Sequence, residues 1–124
     1  MRILALPLLL AACAPMAMSA GTYPKGPARL GQTVYVGGPT VRPIAVLEDS
    51  RCPSGVVCAW AGQVRLRVQV GTGSGKRTME LTSSRPVHTA DGTLTLRDVT
   101  PNRIYGQDFN PEDYRFTFEF SGGL

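Results

Sequence analysis

The sequence predicts an all-β domain: a small antiparallel β-sandwich of six or seven strands, with a small closed β-barrel as the alternative. Three observations lead there. Two runs, Val64 to Val70 and Tyr114 to Phe120, alternate apolar and polar residues without a break. Successive side chains of a strand point to opposite faces, so this alternation means one buried and one wetted face. Turn-forming residues divide these and several shorter runs, and no segment carries a long helical period. Many short strands punctuated by Gly and Pro are what a sandwich requires, while full closure would give the barrel.

Taken in order, Thr33–Val36 and Val41–Leu47 are the first two candidate strands, divided by Gly37-Gly38-Pro39. Pro43 has no N–H to donate to a ladder, so it predicts an edge position or a bulge. Val64-Arg65-Leu66-Arg67-Val68-Gln69-Val70 follows, and Gly71-Thr72-Gly73-Ser74-Gly75 predicts a hairpin into Arg77–Leu81. His88 stands in Pro86-Val87-His88-Thr89 and reads as an ordinary strand or loop residue. Asp91-Gly92 turns the chain into Thr93–Leu96. Asn110-Pro111-Glu112-Asp113 offers a capping residue, Pro at the first helical position and two acids, which predicts one helical turn. The last strand, Tyr114–Phe120, sets four aromatics on one face. The expected core is Val64, Leu66, Val68 and Val70 facing Tyr114, Phe116, Phe118 and Phe120, with Trp60 as a packing anchor beside a disulfide.

The N-terminus has a different character. Arg2 precedes the apolar run Ile3–Leu10, the layout of an export signal. The run is shorter than the roughly 20 apolar residues that span a bilayer. Leu10-Ala11-Ala12-Cys13 stands directly after it and resembles the bacterial lipobox. That resemblance implies a diacylglycerol on the thiol of Cys13, cleavage after Ala12, and a mature chain beginning at Cys13. Two or three acyl chains give stable membrane attachment where one is marginal. Residues 1–12 are thus read as a lipoprotein signal peptide, 13–30 as a flexible lipidated tether rich in Pro, Gly and Ala, and 31–124 as the β domain. Ala14 replaces the Asp that tends to retain lipoproteins of this class at the inner membrane. The expected address is therefore the cell envelope, on the outer membrane facing the periplasm if the host is Gram-negative. Met16 and Met18 have no nearby His or free Cys and are read as tether composition rather than a soft-metal site.

Composition narrows the partners. The chain holds 13 basic and 9 acidic residues; losing Arg2 with the leader leaves a small surplus, nearly all of it arginine. A nucleic-acid binder would carry a dense basic stripe, so no nucleic acid is expected. Weak attraction to an anionic envelope polymer fits the charge. With Cys13 given to lipid, Cys52 and Cys58 remain. An even pair in an exported domain predicts a disulfide. A structural zinc site needs four ligands, and one His with two Cys does not supply them, so no metal is expected.

The most distinctive stretch is Asp49-Ser50-Arg51-Cys52-Pro53-Ser54-Gly55-Val56-Val57-Cys58-Ala59-Trp60-Ala61-Gly62. It resembles a signature of small, uncharacterised envelope proteins of bacteria, many of them lipoproteins: Asp-Ser-Arg-Cys-Pro, four residues, Cys, one residue, Trp, one residue, Gly. Every signature position is matched, and the likeness extends loosely to the Arg65–Val70 and Tyr114–Phe120 runs. The resemblance implies an exported β domain with a disulfide loop and brings no activity. On physical grounds Asp49 can accept backbone N–H bonds in an Asx turn, while Pro53 and Gly55 bend the loop. Arg51 either pairs with Asp49 or Glu48 or points outward toward a ligand.

Enzyme signals are weak. There is no Gly-x-Ser-x-Gly elbow to place a nucleophile near His88, and no phosphate loop, nucleotide fingerprint or calcium loop. The chain is therefore expected to be no enzyme and to use no cofactor. The first functional expectation is a membrane-anchored, non-catalytic binding or structural module of the envelope. The second is an envelope protein that inhibits or chaperones another protein through its disulfide loop. The candidate binding residues are Arg51, Arg65 and Arg67; the last two lie two apart on the polar side of one strand and should emerge on one face.

Overall fold

The computed structural model describes residues 23–89 and 91–122. The expected signal peptide 1–12, the expected lipidation residue Cys13 and the methionines Met16 and Met18 lie outside the described residues.

Among the described residues seven strands form: β1 (Val34–Tyr35), β2 (Thr40–Asp49), β3 (Val64–Thr72), β4 (Gly75–Thr82), β5 (Val87–Thr89), β6 (Gly92–Thr100) and β7 (Arg115–Gly122). They divide into a four-stranded sheet, ordered β1-β2-β3-β4, and a three-stranded sheet, ordered β5-β6-β7. All ladder pairs are antiparallel. Two separate sheets enclosing one core make a β-sandwich rather than a closed barrel.

Alternation accounts for the core. Val64, Leu66, Val68 and Val70 point inward from β3 and are fully buried. Val41, Leu81, Leu94, Leu96, Val99 and Phe116 meet them there. Phe118, Phe120 and Tyr114 are only half-buried, so the expected aromatic face is sealed at Phe116 alone. β7 is an edge strand, so it has a neighbouring strand on one side only. Phe120 lies close over Gly38, where an added Cβ would stand 2.8 Å from its ring.

Bulges explain where the alternation runs out. Ile44 and Leu47 are extra residues in β2 against β3, one of them directly after Pro43, so Pro43 sits at a bulge. Arg97 is the extra residue in β6 against β7. It carries Val99 back to the inner face after two outward residues, which extends the strand beyond Leu96. The strand β5 places His88 opposite Thr93, exposed to solvent. Asn110 and Pro111–Asp113 form the expected helical turn, a short 3-10 one in which Asp113 accepts the Asn110 N–H at 3.0 Å.

The tether boundary at residue 30 needs correction. Ala28 is fully buried and exchanges two backbone hydrogen bonds with Phe116, both 2.9 Å. Pro24 accepts the Tyr35 N–H at 3.0 Å. The domain therefore takes in residues from Pro24 onward, because Ala28 and Leu30 offer apolar surface that the core buries.

Candidate functional site

The signature segment Asp49–Gly62 lies at the end of the sandwich where β2 passes to β3, and it prolongs that hairpin. Ser50 donates its N–H to the Gln63 carbonyl at 2.9 Å, and its Oγ accepts the Gln63 N–H at 3.0 Å. Cys52 donates to the Ala61 carbonyl at 3.3 Å. Gly62 makes the return possible: its φ is +70° and an added Cβ would fall 1.8 Å from the Ser50 carbonyl oxygen. Only glycine fits that close crossing. The disulfide between Cys52 and Cys58 is formed, with Cα atoms 5.9 Å apart.

A second loop braces the first. Ser54 donates its N–H to the Arg103 carbonyl at 2.8 Å, and Arg103 Nη1 donates to the Arg51 carbonyl at 3.1 Å. The segment after β6 is thereby fastened along the disulfide loop, with Ser54 and Ile104 paired as a parallel bridge.

Beneath both loops lies a polar latch. Arg51 grips Asp49 in a fork, Nε to Oδ1 at 2.8 Å and Nη2 to Oδ2 at 2.9 Å. Its remaining arm, Nη1, donates to the Val99 carbonyl at 2.8 Å. The Tyr114 hydroxyl donates to Asp49 Oδ2 at 2.8 Å. The side chains of Arg51 and Asp49 are only 18% and 11% exposed. Burial alone would push the Asp49 carboxyl up, but the hydrogen bonds from Arg51 and Tyr114 and the charge of Arg51 outweigh it and hold the carboxyl below its ordinary value. Burial, followed by the bond to Asp49, pushes the Tyr114 hydroxyl up to about 12.

These contacts redistribute the expected site residues. Arg51 is turned inward and fully engaged, so it does not join Arg65 and Arg67 on one surface. The backbone N–H of Arg51 reaches Asp49 Oδ1 only at 3.4 Å; the carboxylate serves side chains more than an Asx turn. Arg65 and Arg67 do share the outer face of β3. Arg65 Nε pairs with Glu80 at 2.6 Å, and Glu80 stands directly across from Arg67 in the β3–β4 register. One carboxylate thus serves both cations, which weakens the field they present.

Trp60 also departs from expectation. It is 84% exposed rather than packed beside the disulfide. The loop curls outward from the latch, leaving the indole over a shallow groove bordered by Glu48, Ser50, Gly62 and Gln63. Val57 is entirely exposed at 101%, and on the bracing loop Tyr105 is 77% exposed. Val56 and Ile104 are more than one-third exposed. Five large apolar side chains therefore crown the two joined loops. The sequence carried one hint of this: Val56-Val57 and Ile104-Tyr105 are apolar pairs beside Gly55 and Gly106, outside any periodic run.

Among the described residues, the two joined loops expose apolar area, an indole and a phenol on a backbone braced by hydrogen bonds. In comparisons with known proteins, the chain matches no family model, no curated sequence and no solved structure.

Proposed function

We propose that this chain is the precursor of an envelope lipoprotein that acts as a non-catalytic binding module. Its mature form is held on a membrane by lipid on Cys13, on the outer membrane facing the periplasm in a Gram-negative host. The braced crown of the disulfide loop is its contact surface. The observation that carries this reading is the exposure of Val57, Trp60 and Tyr105 on two loops that a backbone bridge joins at one end of the sandwich. Exposed apolar clusters of this kind mark interaction sites, and aromatic side chains dominate binding energy at such sites. A loop already fixed by a disulfide and a single bracing β-bridge loses little conformational entropy on binding. An anionic polymer held by Arg65 and Arg67 has less support, since Glu80 engages the first and faces the second.

Two measurements test the reading. Cys13→Ala should release the domain from membranes in flotation or block its processing; full flotation of the variant would overturn the anchor. Val57→Ser combined with Trp60→Ala should abolish recovery of any ligand that wild-type protein retains from envelope extract. Unchanged recovery by a folded variant would move the contact surface elsewhere.

A further inference from the structure

The position of the crown relative to the chain's entry point bears on what it can meet. Pro24 accepts the Tyr35 N–H, and Tyr35 pairs with Thr40, the first residue of β2. The disulfide loop leaves from Asp49, the last residue of the same ten-residue strand. Two of its residues are bulges, so the strand covers the seven steps from Gly71 to Val64 of β3, roughly 23 Å at about 3.3 Å per residue. The end of the sandwich nearest Cys13 in the chain is thus opposite the end that carries Val57, Trp60 and Tyr105. Nine residues separate Cys13 from Tyr23, a reach of about 30 Å at full extension.

The crown has a second property. The segment from Arg51 to Gly62 contains no acidic residue, and neither does Pro101 to Gln107. The arginines of these segments, Arg51 and Arg103, donate to Asp49 and to backbone carbonyls within the latch. What faces outward is therefore apolar and nearly uncharged. Two of the grooves among the described residues are lined mainly by Thr, Ser, Gly and charged side chains, a poor match for the crown of a second copy.

We infer that the crown docks into an apolar, uncharged cleft of a different envelope protein standing away from the membrane that holds the lipid, with Trp60 and Val57 as the inserted side chains. This rests on the lipoprotein reading above, since the lipid on Cys13 sets which end faces outward. The disulfide and the Ser54–Arg103 bond hold the crown in its protruding shape before contact. An indole and a branched aliphatic side chain, three positions apart on a stiff loop, suit a pocket rather than a flat or charged surface.

The test uses the full lipidated chain in its own envelope. A photoreactive phenylalanine analogue replaces Val57, Trp60 or, on the far sheet, Thr95. The inference expects one protein adduct common to positions 57 and 60 and missing from 95. That protein, once purified, should move the Trp60 emission of a lipid-free exported chain to shorter wavelength. Trp60→Ala should weaken their binding, measured by calorimetry, at least about 30-fold. The same lipid-free chain mixed with phosphatidylethanolamine–phosphatidylglycerol vesicles should keep its emission unchanged. A shift with vesicles would assign the crown to a lipid surface, and an adduct between two copies of the chain would assign it to self-association; either overturns the inference. So does the lack of any adduct at 57 and 60. An adduct from position 95 alone would keep the binding module and discard the crown, whereas flotation of Cys13→Ala would remove the anchor and with it the orientation.

Discussion

The Asp49 carboxylate accepts from Arg51 on both oxygens and from Tyr114 on one, each within 2.9 Å. Asp49 ends a strand of the four-stranded sheet, whereas Tyr114 precedes β7 and Val99 belongs to β6, both of the other sheet. Three side chains therefore clamp the two sheets at the loop end. Arg51→Ala should cost about 2 kcal/mol in denaturant unfolding, less than the 3–5 kcal/mol of a wholly buried pair, because water still reaches the site. Arg51→Lys should recover only part, as an ammonium cannot make the fork. The pH dependence follows from the two shifts. The Asp49 carboxyl is depressed in the fold, so its stabilisation is complete above the ordinary carboxylate range and fades as pH falls through the folded value. The Tyr114 hydroxyl is raised to about 12; its contribution holds below the unfolded value near 10 and is lost as pH climbs toward 12. Tyr114→Phe should remove that alkaline loss, seen as a flatter stability profile above pH ~10.

Among the elements, β7 and the β2–β3 hairpin carry the sharpest tests. Phe116 is fully buried and stacks on Tyr114 with ring centroids 5.5 Å apart, whereas Phe118 is half-buried. Phe116→Ala should cost about 3–5 kcal/mol and Phe118→Ala distinctly less; equal losses would mean that the edge strand is covered more evenly than its burial suggests. Gly62→Ala should cost at least about 2 kcal/mol through its positive φ, with disordering of the Ser50–Gln63 bonds visible in amide exchange. The strands were legible because period-two alternation encodes burial directly, and β3 kept it through every inward position. Legibility failed where that code is interrupted. The bulge at Arg97 hid the extension of β6 to Thr100, and the three-residue β5 is too short to show a period. Ala28, fully buried, stood in a stretch whose Pro and Gly content reads as linker. In the signature loop, side-chain direction follows hydrogen bonds across distant segments. Arg51 turns inward toward Val99, 48 positions later, and local sequence cannot declare that.

Across the whole molecule the crown and the core are separate structures. None of the buried core residues comes from the Ser50–Gln63 loop, so the sandwich takes no part of its apolar core from the loop and joins it through the Arg51 latch. Opening the disulfide should consequently leave the fold in place. Cys52→Ser with Cys58→Ser should lower stability by about 2–2.5 kcal/mol on chain-entropy grounds for so short a loop, while the strand signal in circular dichroism persists and protease begins to cut between Pro53 and Ala59. The same separation makes the single tryptophan an unusual reporter. Trp60 is 84% exposed in the folded chain, and an indole in water emits near the wavelength of the unfolded state. Its emission maximum should therefore move little when the protein is unfolded in guanidinium, even as circular dichroism records a cooperative transition. Iodide or acrylamide should quench it nearly as well before unfolding as after. A native emission strongly shifted to short wavelength would place the indole against apolar neighbours, and would return Trp60 to the packing role that its position beside Cys58 first suggests.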